Sequence, residues 1–426
     1  MSIYSLAALA SANASIAATL DAGIAAFSTS FSQRFLEIFP VPDSPKQEAL
    51  EAFSQAITSN LLGGIGYFYG TSLVDPSFSY EWDDDSSPAD SDDDDGKRTN
   101  KGPRLTEPKA LLTATPSRSF FPRGFYWDEG FHLLHIGEWD NDLRLVLWRF
   151  LVALIDLCCS LDILKDWINL VDEDGWVARE QILGEEARSK ARCDVYLIVG
   201  RFTKHPKYQV PPQFQIQVPS FANPPTLSMA VTAFIKRLKR HVEPTDFDLG
   251  LDLGAGHAQI PISAPQPATG NRYLTDRGLA LSFLRSIYQP LKRHYEWFRR
   301  TQRGQLKQYG RKARSRTEAY RWRGRSEKHV LTSGMDDYPR APPHIGELHL
   351  DLLSWMGFFS RTMKEIAEFI GEEEDRKHYA NIQKAIVENI DGPSHHFLSV
   401  YGLTVVVIRS TLERRFTNVL RRRCGR

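Results

Sequence analysis

Apolar residues recur along this chain three and four positions apart, the interval that gathers them on one side of a helix, so the fold must pack helices against one another. Leu50, Phe53, Ile57 and Leu61 make the first such stripe, and Gly63-Gly64 stops it, which predicts a helix burying one face. Asn223 before Pro224-Pro225 reads as an N-cap with proline in the first turn, opening a second helix through Leu227, Ala230, Val231, Phe234 and Leu238. Phe283, Leu284, Ile287, Tyr288, Leu291, Tyr295 and Phe298 form a third stripe with Pro290 as a kink or break, and Leu352 to Ile370 a fourth ending at Gly371. Strand-like alternation is scarce. The expected fold class is mostly α, with long loops, and 426 residues leave ample room for the core.

Charge excludes some partners. Lys and Arg number 53 against 52 Asp and Glu, a net +1, which supplies no global attraction to nucleic acid or to a membrane surface. Arg299, Arg300, Arg303, Lys307, Arg311, Lys312, Arg314 and Arg316 are read as a solvated basic loop, and no nucleic-acid partner is expected. The most apolar run, Leu143 to Cys159, is interrupted by Arg144, Arg149 and Asp156, so no membrane segment is expected. Met1 to Phe27 has no basic start and carries Asp21, which argues against a signal peptide. The four cysteines, Cys158, Cys159, Cys193 and Cys424, lack metal-ligand spacing; neither a metal site nor a cofactor is expected. Residues 81–97 hold eight Asp among Ser, Pro and Gly, which predicts an acidic disordered loop over 75–104 between a helical lead-in, 1–74, and a larger domain, 105–392.

Three strings follow no regular period. In Phe120 to His132 (FFPRGFYWDEGFH) aromatic faces could pack on sugar C–H groups while Arg and carboxylates hold hydroxyls; a turn leading into a buried aromatic helix fits as well. In Gly175 to Gly184 a Trp precedes an Arg-Glu pair, which alone reads as a surface ion pair. Ser333 to Arg340 (SGMDDYPR), preceded by Tyr320 to Arg325 (YRWRGR), offers adjacent Asp336 and Asp337. Glycoside hydrolysis needs one carboxyl still protonated near neutral pH, and a neighbouring carboxylate is one means of raising its pKa. For a lone Asp pair, a turn or a helix cap is the simpler reading.

In this order, with NPPTL between the second and third strings and Glu347 to Asp351 after them, the strings resemble glycoside hydrolase family 63, the processing α-glucosidase I family. LLGGIGYFYG (61 to 70) resembles a stretch ahead of that family's catalytic core. The resemblance implies a partial (α/α)6 toroid and inverting removal of the terminal α-1,2-linked glucose from the precursor N-glycan, a glucosylated high-mannose partner, in the endoplasmic reticulum. It implies Asp336 as general acid, tuned or oriented by Asp337. Phe121, Arg123, Trp127 and Asp128 would line the glucose pocket, with Trp176, Arg179, Glu180, Asn223, Tyr320 and Arg323 as neighbouring contacts. A trehalase-like α-glycosidase on the same toroid, or a carbohydrate-binding remnant without catalysis, are the alternatives.

Three segments depart from the family pattern: about 144–160, about 191–209, and the basic tail 393–426. All four cysteines lie in them, which suggests translated intron or shifted reading frame. The family's catalytic base is a Glu in a later motif with no visible counterpart here, so the resemblance does not by itself assure catalysis by the chain as written. An inverting mechanism needs acid and base roughly 6.5–9.5 Å apart.

Overall fold

The computed structural model describes residues 6–78, 102–139, 159–191, 207–208, 210–242, 272–306, 313, 315–336 and 342–391. Most of the acidic loop, of the two atypical insertions and of the basic segment 307–314, and the whole tail 393–426, lie outside the described residues. The chain divides into two compact units, residues 1–64 and residues 65–426.

The first unit is two helices, α1 (Leu6–Ile38) and α2 (Gln47–Leu62). Phe35 is buried between Phe31 and Phe39, with ring centroids 6.5 and 5.5 Å away, and Ser32 Oγ donates to Gln55 Oε1 at 3.1 Å. The helix over Leu50 to Leu61 forms where the spacing predicts it, yet Leu50, Phe53 and Ile57 are exposed rather than covered. The helical lead-in also ends earlier than residue 74. Residues 66–70, three aromatics between two glycines, form a strand in which exposure alternates, Tyr67 and Tyr69 facing outward.

The second unit begins with β1 (Gly66–Gly70), β2 (Leu73–Val74), β3 (Arg104–Leu105) and β4 (Lys109–Thr113). Antiparallel β1 and β4 run from Gly66 opposite Thr113 to Gly70 opposite Lys109. Arg104 thus lies in a strand rather than in the acidic loop. Helices α3 (Tyr126–Trp139), α4 (Cys159–Asn169) and α5 (Glu185–Arg188) follow, then β5 (Lys190–Ala191), β6 (Lys207–Tyr208), α6 (Pro212–Gln215) and β7 (Ile216–Gln217). β5 pairs β6 antiparallel across the second insertion; β2 pairs antiparallel with β3 and parallel with β7. The remaining helices are α7 (Leu227–Val242), α8 (Arg272–Thr275), α9 (Arg277–Thr301), α10 (Leu350–Ile370) and α11 (Glu373–Asp391). The described chain is therefore mostly helical, as its periodicity requires.

Three packing details carry the site. Helix α9 opens with Asp276 accepting from the amides of Gly278 and Leu279, and it runs unbroken through Pro290. A proline removes one backbone bond, and the ten buried side chains that α9 packs into the core outweigh that loss. Helix α10 ends at Gly371 in the left-handed conformation and returns as α11. It also packs on α7 and α9, while α3 packs on α7 and α4. Asn223 does not cap α7: its side-chain amide points to the carbonyl of Thr332, and Thr226, just before the helix, bonds the carbonyls of Tyr126 and Trp127.

Candidate active site

The first string opens α3 and is anchored by the residue beside its polar tip. Glu129 is fully buried; it accepts from Thr113 Oγ1 at 3.0 Å and the Ala114 amide at 3.2 Å, and its other contact is His132 Nδ1 at 3.0 Å. Trp167 Nε1 donates to the same Thr113 hydroxyl at 3.0 Å. Helix α3 is thereby fixed to the end of β4, and Trp127 and Asp128 are carried on a fixed first turn.

The second string lies against the first as a short antiparallel bridge. The Tyr126 amide donates to the Arg179 carbonyl, and the Gln181 amide to the Gly124 carbonyl, both at 2.9 Å. Across this bridge Arg123 Nε donates to Glu180 Oε1 at 2.5 Å, with both side chains 7% exposed. The Arg123 guanidinium also stands 5.5 Å from the centre of the Phe125 ring, against which Phe121 packs edge-on at 5.6 Å. Phe121 itself is half exposed. Trp176 is buried, its indole N–H donating to the Phe221 carbonyl at 3.0 Å.

The third string arrives on a hairpin. Arg325 and Val330 bridge, and the Ser326 amide donates to the His329 carbonyl at 3.0 Å. The ascending strand is pinned from below: Trp322 Nε1 donates to Asp351 Oδ2 at 2.9 Å, and fully buried Arg325 pairs with Glu347 at 3.1 Å. The returning chain makes one 3₁₀ turn, Leu331–Ser333, closed by Gly334 at φ +74°. A Cβ at Gly334 would come to 3.0 Å of the Trp127 indole, so the turn lies on that ring. Asp336 follows two residues later and is exposed.

Trp127 is also met edge-on by Phe131 at 5.2 Å and by Trp355 of α10 at 6.4 Å. Burial raises the Asp128 carboxyl above its usual range; His132 and the Asp128 amide pull it down, and the negative charges of Glu129 and Asp336 add to the rise. Asp128 and Asp336 are therefore close enough to feel one another.

Among the residues expected at the pocket, Trp127, Asp128 and Asp336 converge, with Arg123, Glu180 and Phe121 on the adjoining bridge. Arg179 and Asn223 turn to the 3₁₀ turn instead, their side chains donating to the carbonyls of Leu331 at 2.8 Å and Thr332 at 3.0 Å. Tyr320 is buried with its hydroxyl on Glu318, which pairs with Arg299. Arg323 donates to the carbonyls of Thr301 at 2.9 Å and Arg303 at 3.2 Å, tying the hairpin to the end of α9. Asp337 lies outside the described residues. Trp355 is the contact that sequence reasoning missed; it stands one residue away from the buried stripe of α10, which is where a half-covered tryptophan would be sought. Among the described residues no group of acidic, His or Cys side chains could hold a metal.

A mostly helical unit whose loops carry aromatic rings, an Arg-Glu pair and two carboxylates holds groups able to meet a sugar through ring stacking and charge-assisted hydrogen bonds. The profile of the glycosyl hydrolase family 63 C-terminal domain matches residues 16–403, and the chain belongs to that family. It is 39% identical over 382 residues to a protein of Schizosaccharomyces pombe described as a probable mannosyl-oligosaccharide glucosidase, covering 85% of this chain and 40% of that one. Against the mannosyl-oligosaccharide glucosidase of Saccharomyces cerevisiae it is 37% identical over 361 residues, 82% of this chain and 37% of the relative. A mannosyl-oligosaccharide glucosidase of Arabidopsis thaliana is 32% identical over 384 residues, 87% of this chain and 34% of the relative. The chain thus spans two fifths or less of the length of these relatives.

Proposed function

We propose that this chain provides the glucose pocket and the proton donor of an inverting mannosyl-oligosaccharide glucosidase, which removes the terminal α-1,2-linked glucose from the precursor N-glycan in the endoplasmic reticulum. The helices are read as part of an (α/α)6 toroid whose loops carry the pocket. One observation supports the reading above the rest: the turn that leads to Asp336 rests on the face of Trp127, with Asp128 within electrostatic reach.

In this reading the Trp127 ring receives a C–H face of the glucose, and the Asp128 carboxylate accepts hydrogen bonds from its hydroxyls. Arg123, held by Glu180, supplies further donors; among the described residues its Nη groups meet no other acceptor. Asp336 protonates the departing glycosidic oxygen, and exposure of its carboxyl lets solvent reload the proton. Water then attacks the opposite face of the sugar, which inverts the anomeric centre. The water-activating carboxylate is assigned to no described residue.

Glucose release from a triglucosylated glycan, with none from trehalose, is the expected result. Asp336→Asn abolishes release, by about a hundredfold or more, while affinity for the glycan stays within a small factor. Full activity in that variant overturns the assignment of the acid. Unchanged glycan affinity together with no turnover by the unsubstituted chain would favour the carbohydrate-binding alternative.

A further inference from the structure

We propose that Arg179 and Asn223 are positioning residues that hold the Asp336 turn in register, and that neither acts chiefly by touching the sugar. The inference rests on the assignment of Asp336 as proton donor and explains how that carboxyl is kept in place.

A single 3₁₀ turn is too short to satisfy all of its own carbonyls. Leu331–Ser333 is such a turn, with few internal bonds: the Ser333 amide and hydroxyl both reach the Val330 carbonyl, at 3.0 and 2.7 Å, and the Gly334 amide reaches the Leu331 carbonyl at a long 3.3 Å. Side chains from elsewhere in the chain strengthen the contact at the Leu331 carbonyl and supply the next. Arg179 Nη1 supplies Leu331 at 2.8 Å with a charge-assisted bond, and Asn223 Nδ2 supplies Thr332 at 3.0 Å. Thr332 Oγ1 donates to the Arg323 carbonyl at 2.7 Å, and the Met335 amide to Ser333 Oγ at 3.2 Å. The turn is thus bonded at each residue up to the one that precedes Asp336.

The two donors come from separate parts of the chain, 152 and 109 residues away from their acceptors. Asn223 is 7% exposed, so its amide is enclosed by protein and has little surface left for a ligand. The remaining face of the turn is closed by Trp127 against Gly334. Loss of Asn223 removes the donor to the Thr332 carbonyl, and loss of Arg179 leaves the Leu331 carbonyl with only the long bond from Gly334; either change lets the turn slide along the indole, moving Asp336 away from the glycosidic oxygen. A displacement of that kind costs rate, because the proton must be delivered along a defined line, while the sugar-facing groups on α3 and its bridge are untouched.

The test uses the full chain and Asn223→Asp, which keeps the shape and replaces the donor by an acceptor, together with Arg179→Lys and Arg179→Ala. Three quantities are read: backbone hydrogen exchange across residues 331–336, affinity for kojibiose, the α-1,2-linked glucose disaccharide, and glucose release from it. Each variant is expected to exchange about tenfold faster over this segment and to release glucose about tenfold more slowly, with kojibiose affinity changed less than about threefold. Guanidinium ion added to Arg179→Ala should restore part of the lost protection. Unaltered exchange with affinity weakened about tenfold would overturn the proposal and make the two residues sugar contacts. If the unsubstituted chain neither binds nor cleaves kojibiose, the glucosidase reading fails, and the exchange measurement still decides whether these side chains hold the turn.

Discussion

Gly334 is where a single atom matters most. Its φ of +74° belongs to the left-handed region, in which a side chain costs about 1 kcal/mol, and the atom that alanine adds would meet the Trp127 ring at 3.0 Å. Gly334→Ala is therefore expected to lower glucose release by about tenfold or more and to destabilise the protein by about 1–2 kcal/mol, read from the urea midpoint. An alanine variant with unaltered turnover would show that the turn does not need the indole. At this scale the sequence was partly legible. Trp127, Asp128 and Asp336 could be nominated because they sit in contiguous strings of rings and charges. The same strings also contain Tyr320 and Arg323, and nothing in their spacing reveals that one hydroxyl is spent on Glu318 and the other guanidinium on the end of α9.

At the scale of elements, helices announce themselves through period and ends, and short strands do not. The stripes over α7, α9 and α10 lie where the apolar spacing puts them, and Gly371 terminates α10 in the conformation a C-terminal glycine favours. β2, β3, β5, β6 and β7 are two residues each, too short to show alternation. The stripe of α2 is exposed where its spacing predicts a buried face, because periodicity reports that a face is apolar and says nothing about whether another element covers it. Close approach between elements is likewise invisible until two backbones are seen together. Gly130 in α3 faces Thr226 at the entry to α7, where an added Cβ would come to 2.3 Å of the threonine backbone. Backbone cannot yield as a flexible side chain can. Gly130→Ala is expected to cost about 3 kcal/mol, read as a lower urea midpoint with an unchanged slope. A loss under about 0.5 kcal/mol would mean that α3 and α7 can separate freely.

For the molecule as a whole, one buried imidazole ties the parts of the second unit together. His294 of α9 is fully buried, and its Nδ1 and Nε2 lie 2.7 Å from the Gly175 carbonyl and 2.8 Å from the Tyr126 hydroxyl. A neutral ring satisfies both: Nδ1–H donates to Gly175, and Nε2 accepts from Tyr126 O–H. Around it stand Trp297 and Phe298 of its own helix and Phe359 of α10, and among the described residues no charged side chain acts on it. Burial pushes the imidazole down to about 4, against a backbone bond from Gly175 that raises it. Between that value and the ordinary 6.5 the unfolded chain binds a proton that the folded chain refuses, so stability rises with pH across this window. The contribution is complete above about pH 6.5 and is lost progressively down to about pH 4, a span worth about 3 kcal/mol. Comparing urea midpoints at pH 4.5 and 7 for the parent and for His294→Gln should show the parent losing about 2–3 kcal/mol more than the variant on acidification, because a glutamine has no proton to gain. Equal losses would mean that protonation of His294 does not open the fold. The first string, the second string and two core helices all meet at this ring, so the same titration should loosen the Trp127 and Gly175 segments together, which hydrogen exchange at the two pH values can follow.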